Sequence, residues 1–278
     1  MFSYLHRFHA GNFADVHKHL GLMALLTQLQ QKTSPLVVLD SHAGEGHYAL
    51  SAAECQKNAE YRLGAWPLFH STPGPRLVRQ YVQLLHNFNR EPSLQHYPGS
   101  PAIIQAQLRT QDRAILVEGH PQSSLQLRKN FAKNPQLHIH QRDAIEALGA
   151  LLPFKVPRGL IFIDPSYELK SDYQLIVAAL KKAYACFSTG IYGLWYPILP
   201  AAPHQAMLTA IKALGLPKVW HCEWYPYPQQ SSNLIGSGLL VINLPWQLDQ
   251  TLTENFNWLN THVYPAGHFS AQWYSGCA

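Results

Sequence analysis

Four carboxylates of this sequence come at or just after short apolar runs, where buried strands would end; they are Asp40, Glu118, Asp143 and Asp164. In an open α/β sheet, the carboxyl ends of parallel strands meet at the edge where ligands bind. Carboxylates gathered there repel one another unless a ligand uses them. We therefore expect these four groups to share a binding site. A helix N-cap is the plain alternative for each of them taken singly.

The loop after Asp40 reads Asp-Ser-His-Ala-Gly-Glu-Gly and ends at Gly46. It matches the loose glycine fingerprint of dinucleotide-binding proteins. Those proteins place a ribose-binding acid about 20 residues further on, whereas Glu118 lies much farther along the chain. An acid before the glycines favours a cationic or polar ligand group close to the backbone. The sulfonium and amino groups of S-adenosylmethionine fit, with Glu118 placed for the ribose and Asp143 for the adenine.

The segment Asp164-Pro165-Ser166-Tyr167 carries groups suited to an exocyclic adenine amine. Such an amine is a poor nucleophile because its lone pair is delocalised into the ring. Two acceptors, the Asp164 carboxylate and the main-chain carbonyl of Pro165, would bind its two N–H groups and free the lone pair. Tyr167 offers a ring on which an extruded base can stack. A strand followed by a capping aspartate and a turn proline is the plain alternative for so short a pattern.

The elements that must position these groups alternate between strand and helix patterns. Strands are predicted at 36–40, 114–117, 137–140, 159–163 and 191–196, and helices at 14–30, 122–133, 143–151 and 172–186. This alternation predicts a Rossmann-like α/β fold with a mostly parallel sheet and helices on both faces. Two further strands, 219–225 and 238–244, have no clear helix between them, so we expect an antiparallel pair at one edge.

Residues from about 51 to 98 interrupt this alternation with five prolines and one helical pattern at 77–88. We interpret the chain as a single domain, 1–278, with a helical insertion at about 51–98. The insertion ends at a predicted helix start, where Ser100 can cap the helix and Pro101 occupies its first position.

The composition suits a globular protein that meets an anionic partner. The chain has 278 residues, a hydrophobic fraction of 47%, a formal net charge of +5 and a pI of about 9.0. No apolar run approaches the roughly 18 residues of a membrane span, so we expect a cytoplasmic protein. The scattered cysteines predict neither a disulfide set nor a zinc site. Core positions are expected for most tryptophans: Trp195, Trp220, Trp224, Trp246, Trp258 and Trp273.

Longer strings of residues carry a family resemblance. They are Tyr4-x-His6-x-Phe8-His9-Ala10-Gly11-Asn12-x-Ala14-Asp15-Val16-x-Lys18-His19, then Asp40-x-His42-Ala43-Gly44-x-Gly46, Tyr97-Pro98-Gly99-Ser100-Pro101 and Leu194-Trp195-Tyr196-Pro197. With the Asp-Pro-x-Tyr segment, these strings resemble the bacterial large-subunit ribosomal RNA adenine-N6 methyltransferase J family. The resemblance runs from Met1 to about Gly267, and its N-terminal string is the most specific part.

The resemblance implies a class I S-adenosylmethionine-dependent methyltransferase that acts on one adenine of 23S rRNA, free or in an assembly intermediate. No membrane, metal or obligate protein partner is implied. Cofactor contacts are implied at Lys18, His19, His42, Ser100, Glu118 and Asp143, and we add Asp40, Gly44 and Asp164 to them. Asp164 would face the target amine, and Tyr4 and His6 would lie on a mobile N-terminal tail near the substrate.

The sequence departs from the family motif at Ser166, where a second proline is usual. Serine restores an N–H and loosens the turn. Asp164, the Pro165 carbonyl and Tyr167 are kept, so we expect the chemistry to survive.

Two alternatives to a methyltransferase stay open, both connected with the use of external DNA. One is a metal-dependent hydrolase, whose ligands would come from His6, His9, Asp15, His17 and His19. His17 and His19 are two residues apart on a predicted helix and point in different directions, so they do not easily share an ion. The other is a nucleic-acid-binding protein without catalysis, which would have no need for a carboxylate such as Asp164 where phosphates approach.

Overall fold

An eight-stranded sheet is the main element of the computed structural model, which describes residues 4–90, 92–227 and 234–275. The strands are β1 (Val37–Asp40), β2 (His47–Ala49), β3 (His96–Pro98), β4 (Arg113–Val117), β5 (Leu137–His140), β6 (Gly159–Ile163), β7 (Ile191–Ile198), β8 (Trp220–Tyr225), β9 (Gly236–Ile242) and β10 (His268–Trp273). The helices are α1 (Phe13–Leu29), α2 (Ala53–Asn58), α3 (Ala65–Phe69), α4 (Arg76–Asn89), α5 (Ser100–Gln107), α6 (Pro121–Phe131), α7 (Ala144–Ala150), α8 (Lys170–Cys186), α9 (His204–Ala213) and α10 (Leu248–His262). Short 3-10 helices lie at His6–Phe8 and Glu60–Leu63.

The strand order in the main sheet is β10-β8-β9-β7-β6-β1-β4-β5. The five strands β7, β6, β1, β4 and β5 are parallel to one another, whereas the pairs β7–β9, β9–β8 and β8–β10 are antiparallel. The predicted fold class is thus confirmed, including the antiparallel pair β8–β9. The outermost antiparallel strand is β10, which the sequence did not predict because its residues are mostly exposed and form no apolar run.

The two faces of the sheet carry separate apolar clusters, because successive strand residues point to opposite faces. Val38 belongs to the cluster that contains the buried side of α1, and Leu39 belongs to the cluster that contains α8. The parallel strands are therefore covered on both faces, as their near-continuous apolar sequences require.

The segment predicted as an insertion lies between β1 and β4. Its longest helix, α4, packs against α1 and β3, and α2, α3 and a 3-10 helix precede it. β3 pairs antiparallel with β2 outside the main sheet. The sequence predicted only α4 here, because the other helices are too short to show a period. The description as one domain with an insertion stays a prediction.

The tryptophans follow the predicted core positions only in part, since Trp195, Trp258 and Trp273 are partly exposed. Trp220 and Trp224 are buried, but Trp246 is 75% exposed, so its predicted core position is wrong. Cys55, Cys186 and Cys222 are free thiols. No helix in the described part of the chain combines the length and apolar character that a bilayer crossing demands.

Candidate active site

A cavity of about 1300 Å³ opens where the parallel strands β1, β4 and β6 end. Every predicted site residue lines it except Asp40, which is fully buried beside the lining residue Ser41. Pockets for one small molecule usually measure roughly 300–1,000 Å³. The cavity therefore has room for more than one ligand.

Glu118 is held by two backbone N–H groups at one side of the cavity. Gly44 donates to its Oε2 at 2.8 Å, and His120 donates to its Oε1 at 2.7 Å. Burial raises the pKa of Glu118, and the two N–H groups oppose that shift. Each carboxylate oxygen keeps a second lone pair, so Glu118 can still accept hydrogen bonds from ligand hydroxyls.

Gly44 is required by the geometry of its loop. Its φ is +63°, and a Cβ at this position would lie 2.3 Å from the hydroxyl oxygen of Tyr48. Only glycine combines this backbone conformation with such a close approach. The Gly44 N–H is thereby aimed at Glu118, which links the loop after β1 to the end of β4.

Asp40 leaves one oxygen, Oδ2, buried without a hydrogen-bond partner in the described part of the chain. Its Oδ1 accepts from the His42 N–H at 3.4 Å. Burial raises the pKa of Asp40 to about 7, although the nearby Ser100 side chain and the His42 N–H oppose the shift. A buried carboxylate oxygen without a partner is costly unless a ligand satisfies it. A cationic ligand group in the neighbouring cavity would do so.

Ser100 does not cap α5 as the sequence predicted. The N-cap is Gly99, and Ser100 is the first helical residue. The cap prediction was wrong by one residue because the extended backbone before the helix ends at glycine. As the first helical residue, Ser100 lines the cavity.

Lys18 joins two carboxylates at the other side of the cavity. Its Nζ lies 2.6 Å from Asp164 Oδ2 and 2.8 Å from Asp15 Oδ1. Burial by itself would lower the pKa of Lys18, but the two carboxylates outweigh it and hold that pKa well above its ordinary value. Sequence reasoning missed this network, because Lys18 and Asp164 are 146 residues apart and nothing in either local sequence indicates the other.

Asp15 is the buried centre of the same network. Its Oδ2 accepts from the Gly11 N–H at 2.7 Å and lies 3.0 Å from His6 Nε2. Burial would raise the pKa of Asp15, but His6 and Lys18 outweigh it and hold that pKa well below its ordinary value. The sequence suggested Asp15 only as a metal ligand for the hydrolase alternative.

The N-terminal segment is held against α1 rather than extending away from the site. The Tyr4 hydroxyl lies 2.9 Å from His6 Nδ1, and the Tyr4 ring stacks on His9 with centroids 5.6 Å apart. His6 in turn contacts Asp15. The implied mobile tail is therefore seen here in an anchored position, with Tyr4 and His6 both lining the cavity.

Three further predicted cofactor contacts have partners of their own. Asp143 accepts from the Glu146 N–H at 2.9 Å and is the N-cap of α7. An N-cap was the alternative to ligand binding that the sequence offered for this carboxylate. His42 Nδ1 lies 2.8 Å from the Ser41 hydroxyl, and burial lowers the pKa of His42 to about 4. His19 Nδ1 lies 2.7 Å from the Tyr97 hydroxyl, and burial lowers its pKa to about 3. All three nevertheless line the cavity, and both histidines are neutral at physiological pH.

Tyr167 presents little of its ring to the cavity, because it is only 8% exposed. Its hydroxyl donates to the Trp195 carbonyl at 2.9 Å, and its ring packs on Tyr173 with centroids 4.5 Å apart. Trp195 was expected in the core, but it lines the cavity, and Lys18 Nζ lies 5.4 Å from its ring centroid. The string Leu194–Pro197 of the family resemblance was the signal that could have identified Trp195.

The histidines of the hydrolase alternative are divided among separate contacts. His17 Nδ1 lies 2.9 Å from the Ser237 hydroxyl on β9, whereas His19 faces Tyr97. His9 pairs with Glu60 at 2.9 Å. Within residues 4–90, 92–227 and 234–275, no group of three metal-ligating side chains has the geometry to hold an ion.

Comparisons with known proteins give consistent matches. A family model described as "Ribosomal RNA large subunit methyltransferase D, RlmJ" matches residues 33–275. The "Ribosomal RNA large subunit methyltransferase J" of Escherichia coli (strain K12) is 37% identical over 276 residues, which cover 98% of this chain and 99% of that protein. The protein of the same name from Haemophilus influenzae is 37% identical over 277 residues, with the same coverage. A crystal structure of a Legionella pneumophila protein, 36% identical, superimposes with a TM-score of 0.88 over 95% of this chain and 98% of that one.

Proposed function

The chain belongs to the ribosomal RNA large subunit methyltransferase J family, and from this premise we propose that it transfers a methyl group from S-adenosylmethionine to N6 of one adenine in 23S rRNA. The observation that carries the proposal is the meeting of Asp164 with Glu118 and Gly44 in one cavity. A site for an amine thus adjoins a site for a nucleoside cofactor. The family gives no support to the hydrolase or to the passive binder.

Asp40, Gly44 and Glu118 would hold the cofactor. The unpartnered oxygen of Asp40 suits the amino group, and the free lone pairs of Glu118 suit the ribose hydroxyls. The glycine loop lets the ligand approach the backbone closely. When bound, S-adenosylmethionine provides an electrophilic methyl group.

Asp164 would bind the target amine through its Oδ1. Lys18 donates to Oδ2 at 2.6 Å, which fixes the orientation of the carboxylate. With the Pro165 carbonyl as a second acceptor, both N–H groups of the amine are engaged and its lone pair is directed away from the ring. Holding the nitrogen in line with the methyl group accounts for much of the expected rate. The charged amine formed by the transfer then loses a proton to Asp164 or to water.

The preferred substrate would be free 23S rRNA or an assembly intermediate. The target adenine must leave its base stack to reach Asp164, and this costs a few kcal/mol, least where the base is unpaired. Extruding the adenine from a finished ribosome costs more free energy, because tertiary contacts must open as well. Tyr4 and His6 would contact the extruded nucleotide, and their position in the cavity lining supports this assignment.

The test is methylation of a 23S rRNA transcript by the purified protein with isotopically labelled S-adenosylmethionine. We expect label in a single adenine, recovered as N6-methyladenosine after digestion to nucleosides, with less transfer to mature large subunits. The Asp164→Ala variant serves as the inactive control. Label on another base, or on the ribose, would refute the proposed reaction.

A further inference from the structure

Positive charge is concentrated in residues 119–142, between the cavity acids Glu118 and Asp143. This segment contains no Asp or Glu and four basic residues, Arg128, Lys129, Lys133 and Arg142. Its formal charge is therefore +4, out of +5 for the whole chain. The remaining 17 basic residues nearly balance all 16 acidic residues, so the net charge of the protein comes almost entirely from this stretch.

The segment folds into α6 and the edge strand β5, which form one surface. α6 buries Leu127 and Phe131, so that Arg128 and Lys129 are exposed on its outer side, followed by Lys133. His138 on β5 is also exposed. Burial lowers the pKa of His140, and Arg142, His138 and Arg128 lower it further. Arg128 on α6 and Arg142 just after β5 thus both lie near His140, and α6 packs against β5, so that the helix and the strand form one surface.

This α6–β5 surface is continuous with the mouth of the cavity. Gly119, His120 and Ser123 line the cavity at the start of the segment, and Asp143 lines it just after the segment ends. The exposed cations begin at Arg128, seven residues or roughly 10 Å along α6 from its first residue. An RNA whose nucleotide occupies the cavity would therefore reach them with its flanking nucleotides.

Two general explanations for these cations are insufficient. An edge strand needs charged side chains to prevent unwanted pairing, and cations near the end of α6 suit its dipole. Either purpose is served by a few charges, and acidic residues could be interspersed nearby, as is usual on protein surfaces. Neither explains why all 24 residues of a segment that begins and ends at the cavity mouth lack an acid.

We propose that the α6–β5 surface binds the phosphate backbone of the RNA that flanks the target adenine. This inference rests on the proposed function and specifies how that substrate is held. α6 has 11 residues and is about 16 Å long, enough to follow several phosphates. Phosphate contacts of this kind fix position and orientation without reading sequence.

The experiment compares two double variants with the same loss of charge. Lys129→Gln/Lys133→Gln changes the α6–β5 surface, whereas Lys181→Gln/Lys182→Gln changes exposed positions on α8, on the opposite face of the sheet. For the first variant we expect KM for the 23S rRNA transcript to rise about tenfold at physiological salt, with a salt dependence weaker by about two counterions. Its kcat and its affinity for S-adenosylhomocysteine should match those of the wild type. The α8 variant should change none of these quantities.

A KM that is unchanged in the α6–β5 variant, or that rises equally in both variants, would overturn the inference. The proposed function would still stand in that case, as long as the wild type methylates the transcript. Failure of the wild type to methylate the transcript would refute the proposed function itself. Unchanged binding of S-adenosylhomocysteine verifies that each variant is folded.

Discussion

The half of the cavity that we propose for the cofactor (the cofactor half) and the half that we propose for the target amine (the amine half) are built from different kinds of interaction. On the cofactor half, Glu118 is fixed by backbone N–H groups of two strand-end loops. On the amine half, Asp164 is fixed by Lys18, whose charge is shared with Asp15. The first half depends on backbone geometry that persists when one side chain is changed. The second half depends on buried charges that require one another.

Because of this difference, we expect substitutions on the cofactor half to change function but not stability. Substitutions on the amine half should change both. Removing one partner of a buried ion pair leaves an uncompensated charge and costs about 3–5 kcal/mol. Removing a carboxylate that is bound only by backbone N–H groups beside a cavity leaves donors that water can reach, so the loss of stability is smaller. Variants that remove Asp15, the buried carboxylate shared by His6 and Lys18, should therefore affect folding and catalysis together. Variants of Asp164 should affect folding less, because Lys18 then keeps Asp15 as its partner.

The largest effect is expected for Asp164→Ala, which leaves Lys18 paired with Asp15. We expect kcat to fall by about 100- to 1000-fold, as for loss of one group that stabilises a transition state. Titration calorimetry should find the affinity for S-adenosylhomocysteine nearly unchanged. Methylation at the wild-type rate would remove Asp164 from its proposed role.

Asp15→Asn tests the coupling on the amine half. It removes the buried charge that contacts both His6 and Lys18, and we expect the free energy of unfolding to fall by about 3 kcal/mol. Thermal denaturation should show a correspondingly lower Tm. The surface pair Arg142–Glu146 provides the control, since Glu146→Gln should cost less than about 1 kcal/mol. Equal effects of the two substitutions would contradict the comparison.

Glu118→Gln tests the independence of the cofactor half. The amide keeps one acceptor but places a donor against the Gly44 or His120 N–H, so we expect the affinity for S-adenosylhomocysteine to fall about tenfold, or roughly 1.4 kcal/mol. Stability and kcat at saturating cofactor should change little. A large loss of stability would show that this half is also coupled to folding.

The smallest effect concerns Asp40 and pH. Burial raises the pKa of Asp40 to about 7, so the free protein carries a proton there below that pH. Binding the cationic amino group requires the ionised carboxylate and releases this proton. The affinity for S-adenosylhomocysteine should therefore fall about threefold between pH 7.5 and pH 6.5 and level off at higher pH.

Calorimetry in buffers of different ionisation enthalpy measures that proton release directly. Asp40→Asn should remove both the release and the pH dependence. If the wild-type affinity is flat across this range, Asp40 does not contact the amino group.

The relation of sequence to structure differs in the same way between the two halves. Asp40, Gly44 and Glu118 were predicted because strand ends are visible as apolar runs, and parallel topology brings such ends together. Their roles in binding remain predictions. The strand β10 and the short helices before α4 were missed, because exposed strands and helices of one or two turns carry little periodic signal.

The sequence by itself determined the fold class, the strand-end carboxylates and, through its longer residue strings, the family. It could do so because buried strands and glycine turns are encoded by neighbouring residues. Only the tertiary structure decided that Lys18 pairs with Asp164, that Trp195 faces the cavity and that the basic α6–β5 surface adjoins its mouth. These contacts join residues far apart in the chain, and their partners are selected by packing and by the cost of burying unpaired charge.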